Sequence, residues 1–306
     1  MDITFAFTLA GKLGIMSAMM IIGFFAKLSK GSLDDIARLV INFGLPGMIF
    51  SSILTEFNKQ MLGSMTTVLA FGIIAITIGY LISYTLITLI KVKTQNKGEF
   101  MLSAVYGNTG FIGIPICYAV FGGEGALLAV MFDFAITLVL FSLGLFIFLG
   151  INKSGGFLES IKKLFNPPII SLFTGLLAAS LDVKITGIVM DGITMVGNMT
   201  PPLAMIFIGG MLSQITGKIQ WRNREILGIV CAKLLLLPIV MVLAVQVMGI
   251  VGLAASIIVI QSATPTMVAA SLFSQRYKGS AELSTSAICV TTLLSLLTIP
   301  LIMLLL

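Results

Sequence analysis

Two short stretches of this sequence gather polar side chains, glycine and proline inside apolar surroundings. The first is Tyr106-Gly107-Asn108-Thr109-Gly110-Phe111-Ile112-Gly113-Ile114-Pro115, and the second is Gln261-Ser262-Ala263-Thr264-Pro265-Thr266. The chemistry these residue types offer is hydrogen bonding to a solute. Gly107, Gly110 and Gly113 each weaken a helix by ~1 kcal/mol relative to alanine. Pro115 and Pro265 lack an N–H and displace the carbonyls of Phe111 and Gln261, four residues earlier. A helix interrupted in this way has two poles. Its new N-terminus presents N–H groups and suits an anion; the end before the break presents carbonyls and suits a cation or a polar group. Asn108, Thr109, Gln261, Ser262 and Thr264 add neutral donors and acceptors at both breaks. They read as a solute-binding site, hinged at Gly107, Gly110, Gly113, Pro115 and Pro265. The plainer alternative is two kinked helices packed through glycine.

Charged groups inside apolar runs are few. Asp133, in Met131-Phe132-Asp133-Phe134, lies ~12 Å along its run. An intramembrane carboxylate is a functional candidate by default, able to titrate or to bind a coupling cation, sodium or proton. It could also pair with a buried lysine or a backbone group. Lys12 and Lys233 lie ~10 Å from the ends of their runs, within snorkelling reach of an interface. Lys233 stands beside Asp133 as a candidate for ion or proton coupling. Arg38 and Asp191 fall near run ends and read as interfacial.

The elements that must position these residues follow from composition. Of 306 residues, 58% are apolar and 10% charged, against about 25% charged in a soluble domain. Apolar runs of roughly 18–25 residues recur, the length that crosses ~30 Å of hydrocarbon as a helix. Spans are expected at 5–26, 33–55, 62–90, 100–121, 125–149, 168–181, 188–210, 226–248, 253–273 and 282–306. The first lacks leading Lys or Arg and is too long for a secretory core, so it reads as a retained helix. Pro167-Pro168 opens the short sixth span, where a missing N–H costs nothing.

Thirteen lysines and arginines fall in the odd-numbered loops of this scheme and two, Lys59 and Lys184, in the even-numbered ones. The positive-inside rule then puts the odd loops in the cytoplasm and both termini outside. A miscounted span would swap the downstream charges and erase the asymmetry. The net charge of +6 therefore reports topology more than a nucleic-acid partner.

Several classes drop out. The chain has no histidine, and its three cysteines, Cys117, Cys231 and Cys289, are isolated in apolar runs, so neither a metal site nor a disulfide framework is expected. No Walker A motif and no Ser–His, paired-Asp or metal constellation suggests an ATPase or an intramembrane hydrolase.

The two halves echo each other. Asn42-Phe43-Gly44-Leu45-Pro46 in the second span is answered by Asn198-Met199-Thr200-Pro201-Pro202 in the seventh, and Pro115 by Pro265. The proline offsets are 156 and 150 residues, close to half the chain. Five spans per half would make the repeats inverted, a plan of secondary transporters.

At these residues the sequence resembles the auxin efflux carrier family in its compact bacterial form, similar to malate and malonate permeases. The matching pieces are Gly107 to Pro115, Asn42 to Pro46, Leu234-Leu235-Leu236-Leu237-Pro238, and the tail Leu283 to Pro300 with Thr291-Thr292-Leu293-Leu294-Ser295. The resemblance implies an all-α membrane fold of ten helices in two inverted five-helix repeats with helices 4 and 9 broken and crossed, as in sodium/bile-acid symporters and sodium/proton antiporters. It implies a first repeat at 1–149, a cytoplasmic connection at 150–167 and a second repeat at 168–306. Helices 1, 2, 6 and 7 would form a scaffold, with helices 3–5 and 8–10 moving against it as an elevator. Organic anions, auxin-like or malate- and malonate-like carboxylates, are the substrates it suggests. The short connection and the absence of any charge in 62–90 depart from plant members.

The expectation is a secondary carrier of a small organic anion in the cell membrane, with Asn42 and Ser51 of the scaffold closing the site opposite Asn108. A sodium- or proton-coupled cation antiporter of the same fold is the alternative. No cofactor is expected beyond a coupling sodium ion or proton. The bilayer and the solute are the expected partners, with a homodimer through the scaffold helices and no nucleic acid.

Overall fold

The computed structural model describes residues 3–141, 165–214, 221, 223–270 and 281–306. Every regular element among these residues is a helix. In order, α1 is Ile3–Phe25, α2 Lys30–Glu56, α3 Met61–Leu89, α4 Lys97–Val105, α5 Thr109–Val139, α6 Pro167–Ser180, α7 Ile188–Ser213, α8 Arg224–Val247, α9 Gly252–Ser262 and α10 Ala281–Met303. Six of them (α2, α3, α5, α7, α8 and α10 from Glu282) are long and apolar enough to cross a bilayer; α6, α9 and Gly11–Phe25 are shorter and apolar. The protein is a multi-pass membrane protein. The end of the predicted fifth span, most of the 150–167 connection and the end of the ninth span lie outside the described residues.

Asparagine and serine side chains start several helices: Ser29, Asn166 and Asn223 cap α2, α6 and α8 through backbone N–H groups, satisfying donors that the first turn leaves free. Large apolar side chains such as Ile15, Phe25, Leu81 and Val247 are exposed, as expected where lipid rather than water is the solvent. Between helices the contacts are tight. A Cβ on Gly209 would lie 1.9 Å from the Met20 carbonyl, and one on Gly23 2.1 Å from that of Ile206, so two glycines let α1 and α7 meet backbone to backbone.

The prolines behave differently from their sequence-based expectation. Pro115 does not break its helix. It sits in the first turn after a π-turn at Thr109–Gly113. Pro46 follows a π-turn at Val40–Gly44, and Pro238 one at Cys231–Leu236. A π-turn bonds i to i+5 and moves the carbonyl that the proline ring would strike. The real interruption in this region is upstream, at Tyr106–Asn108, between α4 and α5. Further along, α5 bends sharply at Gly122, whose φ is 71°, a conformation that favours glycine. That bend brings Gly125 back against Cys117, whose carbonyl would lie 2.6 Å from an added Cβ.

Candidate functional site

The interruption after α4 meets the one after α9, and the two complete each other's backbone. Gly107 and Thr266 form an isolated antiparallel bridge. The Asn108 N–H donates to the Pro265 carbonyl at 2.7 Å, and the Met267 N–H to the Tyr106 carbonyl at 3.1 Å. Irregular backbone at membrane depth must find partners within the protein; here each break supplies them to the other. Side chains finish the junction. Thr266 donates to the Ser103 carbonyl at 2.8 Å, and its N–H donates to Thr291 Oγ1 at 3.1 Å. Thr264 donates to the Gln261 carbonyl at 2.7 Å. Thr264, Thr266 and Gln261 are wholly buried.

The carbonyl pole is held by Lys233. This residue belongs to the π-turn of α8 and is 2% exposed. Its Nζ lies 3.4 Å from the Val105 carbonyl at the end of α4 and 3.3 Å from the Ser262 carbonyl at the end of α9. The snorkelling expectation is therefore corrected: the ammonium points inward, to the place where two helix C-termini converge. Cations are stabilised at such termini. A Cβ on Gly107 would come within 2.8 Å of Lys233 Nζ and 2.3 Å of Thr264 Oγ1, so Gly107 leaves the space through which the lysine reaches both ends.

The N–H pole opens α5. Asn108 caps it, its Oδ1 accepting from the Phe111 N–H at 3.2 Å, while its carbonyl accepts from Ile112 and Gly113. Thr109 donates to Asp133 Oδ1, and the carboxylate of Asp133 lies 3.5 Å from where a Cβ on Gly110 would be. Gln261 reaches in from α9, its Nε2 donating to the Ala129 carbonyl at 3.0 Å. Its Oε1 points at Gly113, where a Cβ would approach to 1.9 Å. Three buried polar side-chain atoms here have no protein partner: Asn108 Nδ2, Gln261 Oε1 and, on the α4 side, Ser103 Oγ. Buried polar atoms are bonded in the large majority of cases, so one free donor and one free acceptor at a single junction mark where a polar ligand or water would be held.

Of the residues singled out in the sequence, the structure brings together Gly107, Asn108, Thr109, Gly110, Gly113, Gln261, Ser262, Thr264, Pro265, Asp133 and Lys233. Ser51 is buried and donates to the Met48 carbonyl of its own helix, and Asn42 is exposed on the π-turn of α2. No hydrogen bond among the described residues joins either to the junction. A cavity of about 10 Å³ adjoins Ile112, lined also by Leu13, Met16, Met20, Met205 and Ser295. That is room for about one water.

Three contacts missed in the sequence join α5 to its neighbours. Lys12 Nζ donates to the Val120 carbonyl at 3.0 Å, just before the Gly122 bend. Tyr118 donates to Asn198 of α7. The rings of Phe111 and Phe207 pack with centroids 5.2 Å apart, tilted by 34°. Spacing alone gives no signal of such pairs, which depend on how helices dock.

A helical membrane protein with a polar junction of two interrupted helices, its backbone groups paired and three side-chain atoms left open, is built as a transporter. The family described as membrane transport protein matches residues 13–303, and the chain belongs to it, the auxin efflux carrier family. An uncharacterized transporter of Methanocaldococcus jannaschii is 25% identical, with 94% of this chain and 95% of that protein covered. An uncharacterized transporter of Methanothermobacter thermautotrophicus is 25% identical over 90% of this chain and 89% of its own length.

Proposed function

We propose that the chain carries a small organic carboxylate across the cell membrane by alternating access. The observation that carries this reading is the buried Lys233 amino group at the junction. With the Lys233 Nζ against both helix C-termini, the pole that would otherwise attract a coupling cation is already occupied by a donor. Of the atoms left open, the donor, Asn108 Nδ2, lies at the positive end of α5, where an anion is favoured, and the acceptor, Gln261 Oε1, suits a hydroxyl or a protonated group of the same solute.

The proposed architecture is two inverted five-helix repeats, 1–149 and 168–306, joined through 150–167. The first two and the sixth and seventh predicted spans form a scaffold, and the other six form the moving core. Both termini lie outside. The Lys12–Val120, Tyr118–Asn198 and Phe111–Phe207 contacts each cross from scaffold to core, as contacts must that break and re-form during an elevator step. In this reading Asn108 binds the carboxylate with Thr109, Gln261, Ser262 and Thr264 around it, and Asn42 and Ser51 are reached in another state of the cycle. A homodimer through the scaffold spans belongs to the same reading.

Asn108→Ala is expected to abolish carboxylate uptake into proteoliposomes while the purified protein keeps its yield and monodispersity. Uptake like that of the wild type would remove Asn108 from the site. A second reading, sodium- or proton-coupled cation antiport, has one observation in its favour: the Asp133 carboxylate lies against Thr109 and Gly110. Cation flux driven by a pH gradient, and lost in Asp133→Asn, would establish it.

A further inference from the structure

Away from the junction, a cavity of about 600 Å³ opens where the end of α3 meets the start of α8. Its long walls are apolar, made by Leu86 and Leu89 on one side and Leu227 and Cys231 on the other. Lys91, just past the end of α3, and Arg224, the first residue of α8, both line it. Both are exposed, and neither makes an ion pair or a hydrogen bond among the described residues. The carboxylate best placed to neutralise them is withdrawn. Glu225, next to Arg224, is 6% exposed and turned into the α3–α4 connection, where it accepts from the Lys93 N–H at 3.0 Å and Asn96 Nδ2 at 2.6 Å. Lys91 itself takes φ 53° at a helix C-terminus, a place where glycine is ordinarily preferred.

We propose that this groove binds an anionic phospholipid, its phosphate on Lys91 and Arg224 and an acyl chain along Leu86, Leu89, Leu227 and Cys231. The physical case is charge complementarity joined to an apolar trough. Two uncompensated cations favour a phosphate, and the apolar lining comes from the ends of the membrane-spanning helices α3 and α8, where an acyl chain is the apolar partner. Basic residues of the odd-numbered loops face the anionic cytoplasmic leaflet under the positive-inside rule, the side where such headgroups are met. The groove is separate from the crossed-helix junction, so the inference does not depend on which solute is carried.

The test is native mass spectrometry of the full chain released from nanodiscs of equimolar phosphatidylglycerol and phosphatidylcholine. Each basic residue is worth roughly fivefold in affinity for an anionic surface, so the pair predicts a phosphatidylglycerol preference of about 30-fold. That preference should vanish in Lys91→Gln/Arg224→Gln and persist in Lys59→Gln, a control in an even-numbered loop. Both variants alter exposed side chains, and elution as a monodisperse species confirms their folding. Leu227→Gln should lower phospholipid retention while leaving the charge preference in place. Equal retention of the two lipids, or a preference that survives in the double variant, overturns the proposal. Inorganic phosphate or glycerol phosphate raising thermal stability as much as phosphatidylglycerol does would also overturn it, by making this a site for a free anion.

Discussion

Replacing Lys233 by methionine keeps the length and apolar stem of the side chain and removes only the ammonium. Two effects follow from the geometry. The Val105 and Ser262 carbonyls lose their bonds to Nζ, at 3.4 and 3.3 Å. Hydrogen bonds to a charged group contribute about 1.5–3 kcal/mol each, and these distances are long enough to argue for the lower figure, so the loss is about 3 kcal/mol. The second effect falls on the solute. Gly107 lies against Nζ and Asn108 is the next residue, so a carboxylate held there would be roughly 6–8 Å from the ammonium. At an effective dielectric near 20, a unit charge at that range is worth about 2–3 kcal/mol, or roughly 30–100-fold in affinity. Lys233→Met should therefore unfold at lower temperature and bind the carboxylate 30–100-fold more weakly. Lys233→Arg should not rescue it, because the broader guanidinium meets the space that Gly107 only just leaves. The assays are thermal unfolding by intrinsic fluorescence and concentration-dependent uptake in proteoliposomes. Unchanged KM and unchanged selectivity for anions in Lys233→Met would refute the role of the lysine as a fixed counter-ion.

Other perturbations test neighbouring parts of the junction. Gly113→Ala places a methyl 1.9 Å from Gln261 Oε1 and should destabilise the protein by about 1–3 kcal/mol; Gln261→Ala in the same chain should restore the melting temperature but not uptake. Asp133→Asn keeps an acceptor for Thr109 and removes a negative charge beside the anion pole, so KM for a carboxylate should fall at neutral pH; a rise would give Asp133 a direct part in holding the solute. Tyr118→Phe deletes the bond to Asn198, worth about 1 kcal/mol, and should change the uptake rate several-fold by shifting the balance between conformations, with KM little affected. A tenfold change in KM alone would place Tyr118 on the solute.

The long spans were legible because hydropathy reports the solvent each segment meets: α2, α3, α7, α8 and α10 match apolar runs to within a few residues. The neighbourhood of the junction was legible too, since glycine, proline and amide side chains in an apolar run have few structural uses. Its geometry was not. Pro115 looked like the breaking residue, but a π-turn absorbs it and the break falls eight residues before it, at Gly107. That shift depends on Pro265 supplying its carbonyl to Asn108 from 157 residues away in sequence. Lys233 was ambiguous for a similar reason. Its depth suited snorkelling, and only the docking of α8 against the ends of α4 and α9 sends its side chain inward.

The most direct measurement is uptake of labelled malate, malonate and indole acetate into proteoliposomes of the wild-type chain, with sodium, pH and voltage gradients imposed one at a time. Lys233 already occupies the carbonyl pole of the junction, so at least one carboxylate should move saturably in sodium-free buffer, and added sodium should not raise its affinity. Absence of movement by every carboxylate, or an absolute need for sodium, would contradict an anion site built around a fixed lysine.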